Sequence, residues 1–391
     1  MTAWITILFL LLPGADKTEK PQAKGELQKK IEQLLRKPAS VDASDFKGSS
    51  TADIMAAIPS VLGTRRGSKY KPSGKIAWGK EREYYLYDLP DDYTPERAWP
   101  LIVSLHGNPP RHCERVHHKY WRKEPASRGY ILVSPNLDGG RWHKAGGDRA
   151  LLRALRDASG RFHVDSRRVY LNGYSAGGSG TWRWGTYYSD LFAAIIVRCG
   201  IRRVDNATLR TNLKGRGVYL IHATKDSKCP VKQAREAARM LKRYNINHVY
   251  KEFPGDHDFY WSENQKIFTF LEQFSLSASP QVDMVGSFRK FRMVGFVAVE
   301  GRTHHIRATL QGNVVELEVS NPDKLQRLQV YLPHGTDWDQ PVSVRFNGAE
   351  SKHTVTPTVP AFIEAWRLHP FPPTDHLQQV FTGRIVLVGN R

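Results

Sequence analysis

Cysteine is scarce in this sequence, and the few cysteines form no recognisable metal site. The 391 residues include three, Cys113, Cys199 and Cys229. Cys199 and Cys229 each follow a short apolar run, so they could form a disulfide in an oxidising compartment or lie as free buried thiols. The histidines around Cys113 come without a carboxylate or a metal-ligand spacing. We therefore predict no metal and no cofactor.

No hydrophobic run near the N terminus is long enough to span a membrane. Residues 5–12 are apolar and are followed by Pro13, whereas a transmembrane helix takes about 20 apolar residues. Residues 1–15 resemble a secretory signal peptide with Ala15 at the cleavage site, although no Lys or Arg precedes the apolar run. We predict export to the periplasm, the cell envelope or the extracellular space, and the alternative is an uncleaved, membrane-associated N terminus.

Acidic residues are outnumbered by basic ones. The chain has 58 Lys and Arg against 38 Asp and Glu, which gives a formal net charge of +20. Nucleic-acid binding is one interpretation, but the basic residues are spread along the chain, and there is no P-loop, no Gly-x-Gly-x-x-Gly ahead of a helix and no nucleic-acid module. We predict no nucleic-acid partner. A generic basic surface, or attraction to an anionic polysaccharide or envelope, accounts for the charge.

The sequence does contain a regular alternation of strand and helix patterns. Six short apolar runs are typical of buried strands: residues 100–105, 131–135, 169–172, 193–197, 218–222 and 249–253. Helix-length segments lie between them, at residues 149–160, 176–188 and 232–244. This alternation predicts an α/β fold with a doubly wound, mostly parallel sheet. Ligands of such sheets bind at the carboxyl ends of the strands.

The third apolar run leads directly into Gly-Tyr-Ser-Ala-Gly at residues 173–177. A Gly-x-Ser-x-Gly pattern between a strand and a helix is typical of a nucleophile elbow, in which the serine projects from a sharp, strained turn. Side chains at the two flanking positions would collide in such a turn. We therefore predict that Ser175 is a nucleophile, and a glycine-rich surface turn is the alternative.

A serine hydroxyl needs a base to take its proton and an acid to orient that base. In hydrolases with this strand–turn–helix arrangement the chain order is nucleophile, acid, base. The fifth strand runs into Asp226 and the sixth into His257, so we predict Asp226 as the acid and His257 as the base. Asp256 and Asp258 are alternatives for the acid, but a neighbouring residue in the same loop rarely orients a ring.

The tetrahedral intermediate also needs hydrogen-bond donors for its oxyanion. One is expected from the backbone N–H of Ala176, the residue after the nucleophile. The other is expected from the loop after the first strand, where two prolines lack an N–H and leave Gly107 and Asn108. We choose Asn108, and we expect His106 to brace the loop.

Residues 84–274 resemble the α/β-hydrolase superfamily, most closely its secreted feruloyl esterases, acetylxylan esterases and polyhydroxybutyrate depolymerases. The resemblance rests on residues 84–87, 100–107 and 164–178 and on the loops of Asp226 and His257. It implies the same nucleophile, acid and base, the same oxyanion donors, and ester hydrolysis. Peptidases of the prolyl-oligopeptidase type share much of the pattern. The loop after His106 reads Gly-Asn-Pro-Pro-Arg-His-Cys and departs from the family's glycine-rich run.

Composition divides the chain into residues 1–15, 16–75, 76–280 and 281–391. After the signal peptide, a lysine-rich linker at residues 16–24 precedes two packing helices, the second of which should be kinked or shortened by Pro59. Residues 76–280 are the predicted hydrolase domain. From residue 281 apolar positions alternate, and the Asn-Gly turn at residues 347–348 adds to the prediction of a small C-terminal β-sandwich with a short helix inside it.

Several aromatic residues are candidates for binding substrate. Tyr174 and Trp142 are predicted to line an acyl or aryl site. Trp338 and Trp366 could contact carbohydrate, although core packing is the favoured interpretation. The sequence thus predicts a serine hydrolase that cleaves small or polysaccharide-linked carboxylic esters through an acyl-enzyme. The alternatives are a serine peptidase and a non-catalytic polysaccharide-binding protein on a hydrolase scaffold.

Overall fold

The computed structural model describes residues 21–36, 40–66, 70–77, 84–108, 115, 118–137, 141–144, 146–202, 204–277, 281–288, 292–369 and 381–388. The predicted signal peptide and Cys113 lie outside these ranges. Within the described part of the chain, no helix combines the length and the apolar character needed to cross a membrane.

The centre of the molecule is an eight-stranded sheet in the order β1-β2-β4-β3-β5-β6-β7-β8, parallel from β4 onwards. Its strands are Ser73–Ala77, Tyr84–Asp88, Trp99–Leu105, Ile131–Pro135, Val164–Tyr174, Ala194–Arg198, Gly217–Ala223 and His248–Phe253. Strands β3, β4, β6 and β7 are buried at every position, because helices cover both faces. All six predicted strands are present.

Helices α3 to α8 accompany this sheet. They are Glu124–Ser127, Gly147–Arg161, Ala176–Tyr187, Asn206–Asn212, Val231–Arg243 and Asn264–Leu271. Helix α4 shows the reason for their placement: Leu151, Ala154, Leu155 and Ala158 recur at helical spacing and are all buried. The three predicted helices are confirmed as α4, α5 and α7.

Two N-terminal helices, α1 (Pro21–Arg36) and α2 (Thr51–Arg66), precede the sheet. Helix α1 begins inside the segment predicted as a linker. Pro59 lies inside α2 but does not shorten it, since the helix continues for seven more residues. The apolar faces of both helices share one buried cluster with Phe362 and Trp366 of the C-terminal part, and this burial offsets the hydrogen bond that a proline removes.

The C-terminal part is a β-sandwich. One sheet has the order β10-β11-β14-β17 and the other β16-β15-β13-β12-β9. The strands β9 to β17 are Gln281–Ser287, Arg292–Val294, Val297–Gly301, Thr303–Gln311, Val314–Val319, Leu325–Pro333, Val342–Phe346, Ala349–His353 and Phe381–Val388, and α9 is Val359–Leu368. Inner-face residues such as Val315 and Leu317 are completely buried. The predicted α/β fold with a C-terminal β-sandwich is confirmed.

The two tryptophans considered for carbohydrate contact pack into the protein. Trp366 is buried beside Phe362, and Trp338 packs against the sandwich core, where a side chain at Gly383 would collide with its ring. Core packing, the favoured interpretation, is confirmed for Trp366, whereas Trp338 is partly buried at the edge of the sandwich core. Among the described residues, the tryptophan that is exposed is Trp261, which follows His257 by four positions.

Candidate active site

Ser175 occupies a strained turn between β5 and α5. Its φ and ψ are 58° and −118°, values that an L-residue rarely adopts and that are found where a fold holds a functional group in place. A side-chain carbon at Gly173 would lie 2.2 Å from the carbonyl oxygen of Gly177, and one at Gly177 would lie 2.0 Å from the carbonyl oxygen of Leu105. Both glycines are therefore required by the backbone around them.

Asp226 and His257 meet at the carboxyl ends of two neighbouring strands, β7 and β8. Nδ1 of His257 lies 2.8 Å from Oδ2 of Asp226, and Oδ1 of Asp226 accepts the backbone N–H groups of Lys228 and Cys229 at 2.9 and 2.7 Å. Burial acts to raise the pKa of Asp226, but the hydrogen bonds from His257 and the two N–H groups lower it below its ordinary value. The acid is thus held ionised against the ring.

The other ring nitrogen of His257 is unengaged. Nε2 is buried and has no hydrogen-bond partner among the described residues, which is unusual for a buried polar atom. The ring lies 5.0 Å, centroid to centroid, from that of Tyr174, whose hydroxyl donates to the backbone oxygen of His257 at 3.2 Å. Since Tyr174 precedes Ser175 directly, the base is packed against the turn that carries the serine.

The rival acids have other partners. The Oδ1 atom of Asp256 accepts the N–H groups of Ser227 and His257, each at 2.7 Å, and Oδ2 accepts the Ser227 hydroxyl at 3.0 Å. Asp258 accepts the N–H of Phe259 at 2.6 Å. Asp256 therefore links the Asp226 and His257 loops, while Asp226 is the carboxylate on the ring.

A second histidine, which the sequence did not single out, contacts the same acid. Nε2 of His222 lies 3.3 Å from Oδ2 of Asp226 and donates to the backbone oxygen of Cys229 at 2.7 Å. His222 is almost fully buried near the end of β7. Its position four residues before Asp226, at the end of an apolar run, was the available signal.

The loop predicted to supply the second oxyanion donor approaches Ser175. A side-chain carbon at Gly107 would lie 3.3 Å from Cβ of Ser175. Nδ1 of His106 donates to the Gly107 carbonyl at 2.7 Å, and Nε2 accepts the N–H of Leu137 at 3.2 Å, so His106 braces this loop as expected. Asn108 is exposed and Ala176 begins helix α5; their oxyanion roles stay predictions.

The two aromatic residues predicted to line the site differ in accessibility. Tyr174 is partly exposed beside His257. Trp142 is completely buried, with its ring 5.1 Å from that of His106 and edge-on to it. A completely buried ring offers no surface to a substrate, so Trp142 supports the His106 loop in this structure, whereas Tyr174 can face a ligand.

Cys199 and Cys229 are buried, and no disulfide joins them. Burial raises the pKa of Cys199 to about 12, so at neutral pH it is protonated and a poor nucleophile. Two sets of side chains have the spacing of metal ligands, Cys199 with His222 and Asp226, and Cys229 with Asp226 and His257. Both sets depend on Asp226, whose oxygens already accept hydrogen bonds; the absence of a metal stays a prediction.

The eight-stranded sheet, the helices on both faces and a serine on the strained turn after β5 are together decisive for the fold class. Residues 73–271 have the α/β-hydrolase fold. No protein-family model matches the chain, and neither does any curated protein.

The solved structures similar to this chain include esterases and peptidases. A thermostable esterase is 21% identical, with a TM-score of 0.47, over 52% of this chain and 64% of that one. A ferulic acid esterase of Anaeromyces mucronatus is 16% identical, with a TM-score of 0.41, over 53% and 92%. A Porphyromonas gingivalis dipeptidyl peptidase 4 is 14% identical, with a TM-score of 0.40, over 53% and 36%. The chain thus spans less than two thirds of the length of the thermostable esterase and about a third of the length of the peptidase.

Proposed function

We propose that this protein is a serine hydrolase that cleaves carboxylic esters through an acyl-enzyme, with Ser175, His257 and Asp226 as nucleophile, base and acid. The observation that carries the proposal is the pairing of a strained serine turn with a histidine whose Nδ1 is held by a buried carboxylate and whose Nε2 is unengaged. Activation of a serine hydroxyl requires this pairing and, in addition, Oγ of the serine within hydrogen-bond reach of Nε2. In this structure no hydrogen bond joins Oγ of Ser175 to Nε2 of His257, so the proposal places that contact in the complex with substrate.

In the proposed reaction, Oγ of Ser175 attacks the ester carbonyl carbon while Nε2 of His257 takes the hydroxyl proton. The carbonyl oxygen becomes an oxyanion, which the N–H groups of Ala176 and Asn108 stabilise. The bond to the leaving alkoxide then breaks, and His257 returns the proton to it. Water attacks the acyl-serine by the same route and releases the acid. Asp226 keeps the ring oriented and stabilises its protonated form.

For the substrate we propose a small-molecule ester or an ester linked to a polysaccharide, with Tyr174 beside the reacting group. Support comes from its partly exposed ring next to His257; one similar protein is a ferulic acid esterase. The net charge of +20 would attract an anionic polymer or cell surface. The export predicted from residues 1–15 belongs to this proposal.

The test compares the wild-type protein with Ser175→Ala and with Ser127→Ala, a control in which the hydroxyl of an exposed serine in α3 is removed. A fluorophosphonate probe should label the wild type and Ser127→Ala but not Ser175→Ala. Hydrolysis of p-nitrophenyl acetate should fall at least ~10³-fold in Ser175→Ala alone. Full activity in Ser175→Ala would refute the assignment, and no labelling of the wild type would favour a binding protein.

A substrate panel then separates the two hydrolase classes. Acetyl, feruloyl and hydroxybutyrate esters are compared with peptide amides under the same conditions. We expect turnover of at least one ester class with little amide cleavage. Preferential cleavage of the amides would replace the esterase by the serine peptidase.

A further inference from the structure

Arg198 is a buried cation at the end of β6, directly beneath the candidate site. Its side chain has no exposed surface, which is rare for an arginine. Its guanidinium donates to four acceptors: Asn172 Oδ1 at 3.0 Å, the backbone oxygens of Phe259 and Tyr260 at 2.9 and 3.2 Å, and Asn264 Oδ1 at 2.7 Å. All four are uncharged.

These acceptors belong to the two segments that must be aligned for the proposed chemistry. Asn172 lies three residues before Ser175, and the backbone oxygen of Arg198 accepts the N–H of Ser175 at 2.9 Å. Phe259 and Tyr260 follow His257 by two and three residues. The side chain and backbone of Arg198 therefore tie the serine turn to the loop that carries the histidine.

We propose that Arg198 is a positioning residue, which holds the His257 loop in register with the Ser175 turn. The inference rests on the proposed serine-hydrolase function and adds to it a residue that touches neither substrate nor reacting atoms. A guanidinium suits this task, because its planar fork reaches several acceptors in fixed directions, which a lysine ammonium does not.

The same polar network extends to β3, the strand that leads into the oxyanion loop. The amide of Asn172 donates to Oγ of Ser104 at 2.8 Å, and the indole N–H of Trp121 donates to the same oxygen at 2.8 Å. Ser104 lies two residues before His106. One chain of hydrogen bonds therefore runs from Ser104 near the end of β3, through Asn172 of β5 and Arg198 of β6, to the segment after His257.

A charged side chain at this position carries a desolvation cost. Burial lowers the pKa of Arg198 to about 9, which shows how unfavourable the environment is for the cation. The rings of Phe259 and Trp121 lie 4.0 and 5.1 Å from the guanidinium carbon and favour the cation. An apolar side chain in its place would leave the four acceptors without their donor. The nearby carboxylate of Glu263 accepts hydrogen bonds from Tyr219 and Lys266, and the guanidinium of Arg198 donates to uncharged acceptors instead.

The test uses Arg198→Met, Arg198→Lys and a matched control, Arg292→Met. Arg292 is also a buried arginine over aromatic rings, but it bonds Tyr187 and Asp190, away from the site. For each protein we measure kcat and KM on p-nitrophenyl acetate, the rate of fluorophosphonate labelling and the melting temperature. A displacement of the base by about 1 Å can cost about 10²-fold in rate.

We expect Arg198→Met to lower kcat and the labelling rate by roughly 10- to 100-fold, with KM changed less than about 3-fold. Compared with Arg198→Met, the Arg198→Lys variant should regain more of the wild-type melting temperature than of the wild-type kcat. Arg292→Met should lose melting temperature and keep its kcat per labelled serine. A folded Arg198→Met with wild-type kcat would overturn the proposal, as would an equal loss of kcat in the Arg292 control.

A further variant covers the case in which Arg198→Met does not fold. Asn264→Leu removes one of the four acceptors and leaves the arginine in place. We expect it to lower kcat about 3-fold or more at unchanged KM, and an unchanged kcat would overturn the proposal. Failure of the proposed serine-hydrolase function can be distinguished from failure of the Arg198 proposal. In the first case the wild-type protein itself would show neither labelling nor hydrolysis.

Discussion

Nδ1 of His257 and Oδ2 of Asp226 lie 2.8 Å apart, although 31 positions separate the two residues in the chain. Strands β7 and β8 pair in parallel, so the loops that follow them leave the sheet at the same edge. The contact singles out Asp226 among the three carboxylates in these loops. Asp226 accepts a hydrogen bond from the ring in addition to backbone N–H groups, whereas Asp256 and Asp258 accept backbone N–H groups without the ring.

The first prediction distinguishes Asp226 from Asp256. Asp226→Asn should lower kcat/KM by about 10³- to 10⁴-fold, because an amide cannot hold the ring in the required tautomer. Asp256→Asn should cost less than about 10-fold, since that residue only links two loops. The measurement is kcat/KM on p-nitrophenyl acetate for variants whose circular dichroism matches the wild type. Equal losses in the two variants would contradict the assignment.

A second prediction concerns the glycine at the start of helix α5. Gly177→Ala places a methyl group 2.0 Å from the Leu105 backbone oxygen, so the turn must shift or the protein must unfold. We expect a lower melting temperature and at least a 10²-fold loss of activity. Gly63→Ala is the control, because nothing lies within 4 Å of its added carbon in α2. It should leave activity unchanged and stabilise slightly, by up to about 1 kcal/mol.

The third prediction is a pH dependence of stability. Arg235 donates to both carboxylate oxygens of Glu252 at 2.8 and 2.7 Å, and this pair lowers the pKa of Glu252 to about 2. Because the folded-state pKa is depressed, the pair stabilises the fold fully above the unfolded pKa of about 4.3. That contribution is lost as the pH falls towards 2.

Urea unfolding of the wild type, Glu252→Gln and Arg235→Gln at pH 6 and pH 3 checks this expectation. The wild type should exceed both variants in unfolding free energy at pH 6, and the excess should shrink at pH 3. The two variants serve as controls for each other, because each removes the same ion pair. An excess that stays constant with pH would exclude Glu252 as its source.

A fourth prediction concerns the contact between the N-terminal helices and the C-terminal part. Trp366 is 4% exposed and belongs to the cluster shared with α1 and α2, so Trp366→Ala should cost about 3–5 kcal/mol of unfolding free energy. Trp261→Ala is the matched control. Its ring is 41% exposed beneath the guanidinium of Arg122, and its loss should cost about 1 kcal/mol or less. Similar losses in both variants would argue against the buried cluster.

Much of the hydrolase fold could be predicted because its signals are local. An apolar run such as residues 100–105 becomes β3, and the spacing of Leu151, Ala154 and Leu155 becomes the buried face of α4. Pro59 shows the limit of local rules, because α2 continues through it once its apolar face is packed. Trp142 shows the same limit, since nothing in its neighbourhood in the sequence says that it is completely buried.

The sequence by itself determined three things: the order of the strands along the chain, the serine turn, and the short set of residues able to serve as acid and base. The strands follow from hydrophobic periodicity and the turn from the glycine spacing. The candidate acid and base follow from which residues come after each strand. The tertiary structure alone decided which carboxylate meets the His257 ring, that His222 shares that carboxylate, and that Arg198 is buried beneath both segments. The physical reason is that a side chain's partners across a parallel sheet come from strands far apart in the chain. Burial of a charge such as that of Arg198 is settled only when those strands are packed together.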